Sequence, residues 1–388
     1  MKALISSIGT RGDVQPVLAL AVELKALGHA AKLCVAPNFK AWVESYGVEC
    51  VPLGPDLQKF VAMAAAGPKK KPSRAAMKKM VPQSVRDQFQ VLGEAAKGCD
   101  VIVAATLLAG ARSVAESLKL PYVNVTLSPL NLPSADHPPP MVRPQTLPRF
   151  VNRLLWLTRG RRMYRIFREP VNEQRARLGL PPVADMYGHI FTDHPWVAAD
   201  PVLAPGGSGA WFLNDPTPLP EVLEKFLTQG DDPIYFGLGS RGAPPDTGRR
   251  FLQAARALGQ RAIILQGWAN LGVAEAGDDY LVIGDVNHHQ ILSRVTAIVH
   301  HGGAGTTTAA ARAGRPQVVV PNHYDQFYWA HRVRTLGIGT SCQLDGLTEA
   351  LRAALRTEKA AAAQAVADRV PLDGARRAAE RLVQLVGS

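Results

Sequence analysis

Short apolar runs alternate with longer amphipathic stretches along the first part of this chain. The runs have the length of strands, and the stretches have the period of helices. The runs lie at 3–8, 31–35, 101–105 and 122–126, and the helical stretches lie at 14–27, 39–46 and 111–118. Parallel strands need crossovers of about a dozen residues or more, usually helical, so this alternation predicts an α/β protein with a parallel, doubly wound sheet.

The same alternation resumes in the second half after a break. Residues 205–209 read PGGSG and residues 214–220 contain three prolines, which is typical of a loop between domains. Beyond it we predict strands at 233–238, 262–265, 280–283, 297–300 and 318–320, and helices at 246–258, 306–313 and 326–336. The alanine-rich stretch 347–386 predicts further helices.

We therefore predict two Rossmann-like domains that face each other across a cleft. A length of 388 residues suits two domains of ordinary size. The predicted boundaries are 1–213 for the first domain and 214–372 for the second. Residues 373–388 are predicted to form a C-terminal helix that packs back on the first domain.

Cysteine usage and hydropathy indicate a cytoplasmic protein. Cys34, Cys50, Cys99 and Cys342 form no CxxC pair and have no histidine at metal-ligand spacing. The chain starts with a strand-like run rather than a signal peptide. No apolar run approaches the roughly 18 residues that a membrane span needs. We expect a protein that is neither exported nor membrane-spanning.

A formal net charge of +12 raises the question of an anionic partner. The basic residues concentrate in two segments, 69–79 and 153–168, and apolar side chains interleave the second. These segments are either solvated loops or sites of contact with a membrane surface or a negatively charged acceptor. We expect no nucleic-acid partner, and we expect the protein to be a monomer or a dimer.

The motif HHGGAGTT at 300–307 lies between a predicted strand and a predicted helix. Glycines let the backbone approach a ligand closely, and a helix start offers unpaired N–H groups to a diphosphate. The motif is neither GxGxxG nor a Walker A loop, since no lysine follows. It predicts a phosphate site, with a tight turn of no binding function as the alternative.

Three further turns follow predicted strands of the second half. Asp325 and Gln326 have side chains that could bind adjacent sugar hydroxyls, although Asp325 could instead cap a helix. Ser240 lies in a glycine-rich turn at 237–242, and residues 286–288 lie where a nucleobase could meet backbone groups. Ligands bind at the carboxyl ends of parallel strands, so these turns are expected to meet at one cleft.

Asp13 follows the first predicted strand, in the sequence TRGD. Transfer to a hydroxyl group needs a base that removes its proton, and a carboxylate within about 3 Å can do so. One base and a fixed diphosphate suffice for a single displacement with inversion. The alternative is structural, because an aspartate before a helix is a common N-cap. The absence of a DxD triplet predicts that no metal is required.

Several of these motifs occur in a recognisable order. They are GLGS at 237–240, DVNHH at 285–289, HHGGAGTT at 300–307, AGRPQVVVP at 313–321 and DQFYWA at 325–330. The set resembles family 1 of the GT-B glycosyltransferases, the UDP-glycosyltransferase superfamily. GTRGDVQP at 9–16 resembles the bacterial antibiotic and the sterol branches. The resemblance implies a hexosyltransferase of GT-B fold that uses a UDP- or dTDP-sugar and no cofactor.

The resemblance also implies roles for individual residues, by position in the motifs. The donor diphosphate would bind His301, Gly303, Gly305, Thr306 and Ser240, with Thr10 and Arg11 approaching from across the cleft. The transferred sugar would bind Asp325 and Gln326, and the nucleobase would bind Val286 and His288. His300 is expected to be structural, and Asp13 is the proposed base. Asn287 departs from the family, where proline is frequent at this position.

The acceptor is expected to be small and largely apolar, such as a polyketide, another aromatic natural product or a sterol-like molecule. Segments 55–82 and 129–168, rich in proline, leucine, methionine and aromatic residues, are predicted to shape its pocket. Two other functions stay open on the residues alone. One is a nucleotide-sugar epimerase of the same architecture, and the other is a non-catalytic binder of sugar nucleotides or polyanions.

Overall fold

The computed structural model describes residues 1–59, 74–240, 242–275 and 277–387. They form two six-stranded sheets, and every strand pair in both is parallel. The first sheet has the order β3-β2-β1-β4-β5-β6. Its strands are β1 (Lys2–Ser7), β2 (Ala30–Val35), β3 (Glu49–Pro52), β4 (Val101–Ala105), β5 (Tyr122–Thr126) and β6 (Trp196–Val197).

The second sheet has the order β12-β11-β10-β7-β8-β9, which is the same topology counted from β7. Its strands are β7 (Ile234–Gly237), β8 (Ala262–Leu265), β9 (Tyr280–Ile283), β10 (Ala297–His300), β11 (Gln317–Val319) and β12 (Gly339–Ser341). In each sheet the strand order reverses between the first strand and the fourth. Ligands of doubly wound sheets bind at that crevice, which here lies beside the ends of β1 and β4 and of β7 and β10.

Helices connect the strands, since each parallel pair needs a crossover. In the first domain they are α1 (Arg11–Ala26), α2 (Lys40–Ser45), α3 (Arg74–Ala95), α4 (Ala111–Leu118), α5 (Arg149–Leu155), α6 (Arg168–Arg177) and α7 (Met186–Phe191). The remaining helices are α8 (Glu221–Thr228), α9 (Thr247–Arg256), α10 (His288–Ile291), α11 (Ala304–Arg312), α12 (Gln326–Thr335), α13 (Leu347–Ala354), α14 (Thr357–Ala367) and α15 (Gly374–Gly387). Among the described residues, no helix has the length and apolar character needed to cross a membrane.

The last helix, α15, packs on the first domain against α1. Ala379 and Leu382 of α15 are fully buried in the same apolar cluster as Ala21 and Leu24 of α1. Close backbone approach continues where the chain crosses over, because a Cβ on Gly374 would lie 2.3 Å from the Ala210 carbonyl oxygen. The chain therefore returns to its starting domain after completing the second one.

A shared apolar cluster joins the two domains. It contains Leu130 and Leu203 from the first domain, and Trp329 and Val333 from helix α12 of the second. Arg332 adds a hydrogen bond, because its Nε donates to the Leu203 carbonyl oxygen at 2.7 Å. Burial of this cluster holds the two sheets in a defined relation, which matters because the site is built from both.

The prediction of an α/β protein with two doubly wound domains is confirmed. Three strands, β3, β6 and β12, were not predicted; each has four residues or fewer and lies at the edge of its sheet. Helices α1 and α11 begin at Arg11 and Ala304, before the predicted 14 and 306. Residues 205–209 do not form a free linker, because Ser208 N donates to the Val197 carbonyl oxygen at 2.9 Å.

Candidate functional site

The glycine-rich turn lies where β10 ends and α11 begins. Gly302 has φ +89°, and a Cβ there would lie 2.7 Å from Val319 Cγ1, so glycine is required. Gly303 is the N-cap of α11, and no side chain of the described residues caps this helix. The N–H groups of the first turn, which contains Gly305 and Thr306, therefore keep their hydrogen-bonding capacity at the positive end of the helix dipole. This end of α11 has the chemistry of a phosphate site.

His300 stabilises the conformation of this turn. Its side chain is fully buried, with Nε2 2.9 Å from Gln317 Oε1. The Gly302 N–H donates to His300 Nδ1 at 3.1 Å, so the proton of the ring lies on Nε2. Burial lowers the pKa of His300 to about 4, which keeps the ring neutral at physiological pH. These contacts give His300 a positioning function.

His301 faces the turn that follows β7. A Cβ on Gly239 would lie 3.0 Å from His301 Cε1, and a Cβ on Gly303 would lie 2.7 Å from His301 Nε2. The imidazole ring thus fills the space between the turn that carries Ser240 and the start of α11. The second-domain residues predicted for the diphosphate therefore lie side by side at the ends of β7 and β10, whereas Thr10 and Arg11 lie at the start of α1.

The loop after β11 carries the residues predicted for the sugar. Asp325 Oδ2 accepts a hydrogen bond from Trp329 Nε1 at 2.9 Å, which orients the carboxylate from the next turn of α12. Gln326 is 5% exposed, and its Oε1 accepts from the backbone N–H of Asn322 at 2.9 Å. The side-chain amide oxygen of Gln326 therefore closes the loop, a contact that the sequence did not predict.

Tyr324 connects this loop to the opposite domain. Its hydroxyl donates to Asn131 Oδ1 at 2.5 Å, between residues 193 positions apart. Its backbone has φ +54°, a conformation that non-glycine residues adopt only at a cost in free energy. Asn131 is held in turn, because its carbonyl oxygen accepts from the Tyr187 hydroxyl at 3.0 Å. This hydrogen bond crosses the cleft beside the loop that carries Asp325 and Gln326, which we call the sugar loop.

Asp13 lies in the first turn of α1, at the third helical position. Its Oδ2 accepts the Thr10 N–H at 2.7 Å and the Thr10 hydroxyl at 3.3 Å. Within the described residues, Oδ1 accepts no hydrogen bond. Gly9 permits this arrangement, because a Cβ there would lie 2.1 Å from Asp13 Oδ2. The carboxylate therefore caps α1 with one oxygen and leaves the other for chemistry, so the structural and the catalytic interpretations are compatible.

Burial raises the pKa of Asp13 to about 6, although the two hydrogen bonds from Thr10 oppose the rise. Burial also raises the pKa of Asp325 to about 6, and the negative charge of Asp13 contributes to that rise. The two carboxyl groups therefore interact electrostatically across the cleft. A carboxylate with a pKa near 6 is a stronger base than an exposed one, and it is still ionised at neutral pH.

The region predicted for the nucleobase contains a second cross-cleft contact. Arg11 Nη1 lies 3.1 Å from Asp285 Oδ2, and the guanidinium lies over the Trp42 ring at 4.8 Å. His288 Nε2 lies 3.1 Å from the Tyr235 hydroxyl, and burial lowers the pKa of His288 to about 4. Arg11 thus lies beside the base region in this structure.

The side chain of Asn287, at a position where proline is frequent in the family, has a structural function. Its Oδ1 accepts the His289 N–H at 3.1 Å and caps helix α10. Its Nδ2 donates to the Asp215 carbonyl oxygen at 2.6 Å and to that of Thr217 at 3.3 Å. The asparagine therefore ties the base region to the segment between the domains, and Val286 directly precedes it.

Sequence reasoning missed Tyr324, Asn131 and Asp285 as members of the site. Asp285 directly precedes the predicted base-contacting residues, whereas no local pattern marks Asn131 within its proline-rich loop. Residues 60–73, which include half of the predicted acceptor segment 55–82 and the start of the basic segment 69–79, lie outside the described residues. Across the described ranges, no three His, Cys, Asp or Glu side chains cluster to hold a metal ion.

Two domain families match the chain. Residues 3–133 match the glycosyltransferase family 28 N-terminal domain. Residues 251–381 match the erythromycin biosynthesis protein CIII-like C-terminal domain. The first match extends from β1 past β5, and the second extends from α9 into α15. The calicheamicin glycosyltransferase CalG4 has a similar structure, with a TM-score of 0.73 and 20% identity over 100% of this chain and 98% of CalG4, which supports the fold.

Full-length relatives give a closer comparison. Glycosyltransferase GtfE of Amycolatopsis orientalis is 41% identical over 405 residues, covering 100% of this chain and 98% of the relative. The vancomycin aglycone glucosyltransferase of the same organism is 40% identical over 404 residues, with the same coverage. With these relatives, both domain matches and the observed fold, this chain belongs to the family 1-type glycosyltransferases of GT-B fold, in their antibiotic-biosynthesis branch.

Proposed function

We propose that this glycosyltransferase moves a sugar from a UDP- or dTDP-sugar to a hydroxyl group of a small, largely apolar natural product. Transfer occurs with inversion at the anomeric carbon and without a metal. The observation that supports the proposal is the electrostatic proximity of Asp13 to Asp325, whose pKa the charge of Asp13 raises across the cleft, beside the start of α11. A direct displacement needs this arrangement, with a base on one side of the anomeric carbon and the leaving group on the other.

The proposed transfer is a single displacement that involves the donor, the acceptor and side chains of this protein. The acceptor oxygen attacks the anomeric carbon while Asp13 takes the hydroxyl proton. The bond from that carbon to the nucleotide diphosphate breaks, and the diphosphate leaves with the electron pair. The N–H groups at the start of α11 and the His301 ring stabilise the developing negative charge. Asp325 accepts hydrogen bonds from sugar hydroxyls and orients the anomeric carbon.

Natural products are the proposed acceptor class for two reasons. The relative of 40% identity is named for a glucosyl transfer to the vancomycin aglycone, and it aligns over the whole of this chain. The loop that carries Asn131 also contributes Leu130 to the core and half-buried Leu132 beside it, an apolar surrounding next to the Tyr324 bridge. An acceptor that enters here would present its hydroxyl between Asp13 and the sugar loop.

Donor binding is tested by the thermal midpoint with and without excess UDP, dTDP, GDP or ADP, because a ligand of the folded state raises that midpoint. We expect a rise with UDP or dTDP that His301→Ala removes. The matched control is His194→Ala, an exposed histidine, which should keep the rise. No rise with any nucleotide in the wild-type protein would contradict the proposed donor site.

The reaction is tested by product analysis. NMR coupling constants should show that the anomeric configuration of the product is opposite to that of the donor, and EDTA should leave the rate unchanged. A retained configuration would contradict the single displacement, and a rate abolished by EDTA would contradict the metal-independent step. Isomerisation of the donor sugar in the absence of acceptor would favour the epimerase alternative.

A further inference from the structure

Exposed apolar side chains concentrate in one short part of the first domain. Of fourteen exposed large hydrophobic residues in the described part of the chain, six lie between residues 141 and 166. They are Met141, Phe150, Leu154, Leu157, Met163 and Ile166. Leu157 is 77% exposed and Phe150 is 72% exposed. Single exposed hydrophobic residues need no explanation, but a cluster of this density does.

The same segment is strongly basic. Eight arginines and no acidic residue occur between Asp136 and Glu169. Within the described residues only one of the eight, Arg149, forms an ion pair, with Asp136. Arg153, Arg159, Arg162 and Arg165 are exposed and have no acidic partner among the described side chains. The positive charge of this surface is therefore not neutralised by the protein itself.

The fold fixes which side chains point outward. Phe150, Leu154 and Leu157 are spaced i, i+4 and i+7, which puts them on one helical face. Asn152 and Trp156 lie on the opposite face and are buried, and Trp156 Nε1 donates to the His137 carbonyl oxygen at 3.2 Å. The apolar residues are thus held toward solvent by a buried anchor behind them.

The neighbouring loop adds to the same surface. Met141 has φ +75°, a conformation that costs free energy, and its side chain is 70% exposed. A cavity of about 210 Å³ lies between this loop and the turn that follows α5, and its lining includes Met141, Arg159 and Met163. We call the surface formed by Met141, Phe150, Leu154, Leu157 and Met163 with Arg153, Arg159 and Arg162 the basic apolar face.

We propose that the basic apolar face docks this enzyme on an anionic phospholipid membrane. Apolar side chains interspersed with unpaired arginines suit the headgroup layer, which accepts side chains of both kinds at once. No acidic residue interrupts residues 137–168, so this surface is complementary to an anionic occupant. The face lies on the domain proposed to bind the acceptor, so docking would bring that domain to the membrane surface.

The test is co-sedimentation of the full chain with phosphatidylcholine vesicles, with and without phosphatidylglycerol. Each arginine near an anionic surface contributes about fivefold to binding. We expect at least tenfold stronger binding to the vesicles that contain phosphatidylglycerol, and a loss of at least tenfold in Arg159→Glu/Arg162→Glu. Phe150→Ser/Leu157→Ser should also weaken binding, because the apolar side chains insert. The control, Arg249→Glu/Leu372→Ser, changes an exposed arginine and an exposed leucine elsewhere and should bind as the wild type.

Circular dichroism of each variant checks that it is folded. Equal binding to both vesicle types would overturn the proposal, as would an equal loss in the control. If Phe150→Ser/Leu157→Ser bound the vesicles as tightly as the wild type, binding would be adsorption of a basic protein without insertion of apolar side chains. That result would also overturn the proposal. Two further results would also overturn the proposal. Dissociation of a dimer in the variants of the face would indicate that a second copy of the chain binds there. Unchanged vesicle binding with a raised KM for the acceptor would indicate that the acceptor binds there.

Discussion

Asp13→Asn should make the protein more stable while removing most of its turnover. Burial raises the pKa of Asp13 from 3.8 to about 6, a difference of about two pH units. At ~1.4 kcal/mol per unit, ionisation of this carboxyl group destabilises the folded state by ~3 kcal/mol at neutral pH. Asparagine still accepts the Thr10 N–H, and the loss of charge assistance adds no further cost, because the Thr10 hydrogen bonds already act on the pKa of Asp13. The net expected gain in unfolding free energy is therefore ~3 kcal/mol.

The sign of the pH dependence follows from proton binding. Between pH 3.8 and about 6 the folded protein holds a proton on Asp13 that the unfolded chain has released. The contribution of Asp13 to the unfolding free energy therefore falls as pH rises through this window. The difference between variant and wild type should be small at about pH 4 and complete above about pH 6.

Two assays check this prediction. Urea unfolding at pH 7 and at about pH 4 measures the stability difference, with the exposed Asp193→Asn as a control expected to change it by less than ~0.5 kcal/mol. Turnover at saturating substrates should fall by roughly 10²–10⁴, and the wild-type rate should decline below about pH 6. An Asp13→Asn protein that is less stable at pH 7, or that turns over at the wild-type rate, would refute the reasoning.

Three further variants test the positioning of the site. Gly9→Ala would push a Cβ to 2.1 Å from the Asp13 carboxylate and should lower kcat by ~10-fold or more, whereas Gly12→Ala, whose Cβ would have its nearest contact at 3.9 Å, should not. Tyr324→Phe removes a hydrogen bond across the cleft and should raise the acceptor KM by about fivefold in steady-state kinetics. His300→Ala removes the partners of the buried Gln317 Oε1 and of the Gly302 N–H and should lower the unfolding free energy in urea by ~2–4 kcal/mol.

The placement of the residues proposed for the donor was predictable because each of them follows a strand. The turn at 300–307, the loop at 325–326 and Ser240 each follow a strand, and parallel strands bring their carboxyl ends to one edge of a sheet. The edge strands β3, β6 and β12 were missed because none of them is an apolar run: β3 reads ECVP, β12 reads GTS and β6 has only two residues. Pairing with a longer neighbour, rather than local propensity, makes them strands.

The bridge from Tyr324 to Asn131 could not be predicted, because it joins residues 193 positions apart on different domains. The double use of Asp13 as helix cap and candidate base was also undecidable, since both depend on the same TRGD pattern. Only the geometry separates the two oxygens, with both Thr10 hydrogen bonds on Oδ2.

The sequence by itself determined the two parallel sheets and the turns with chemistry at their ends, because both depend on short-range periodicity and on glycine, proline and polar residues at strand ends. Tertiary structure decided how the two domains face each other. The shared cluster of Leu130, Leu203 and Trp329 sets that relation through burial of side chains far apart in the chain. Burial also decided the raised pKa values of Asp13 and Asp325, because the cost of desolvating a charge depends on what packs around it in three dimensions.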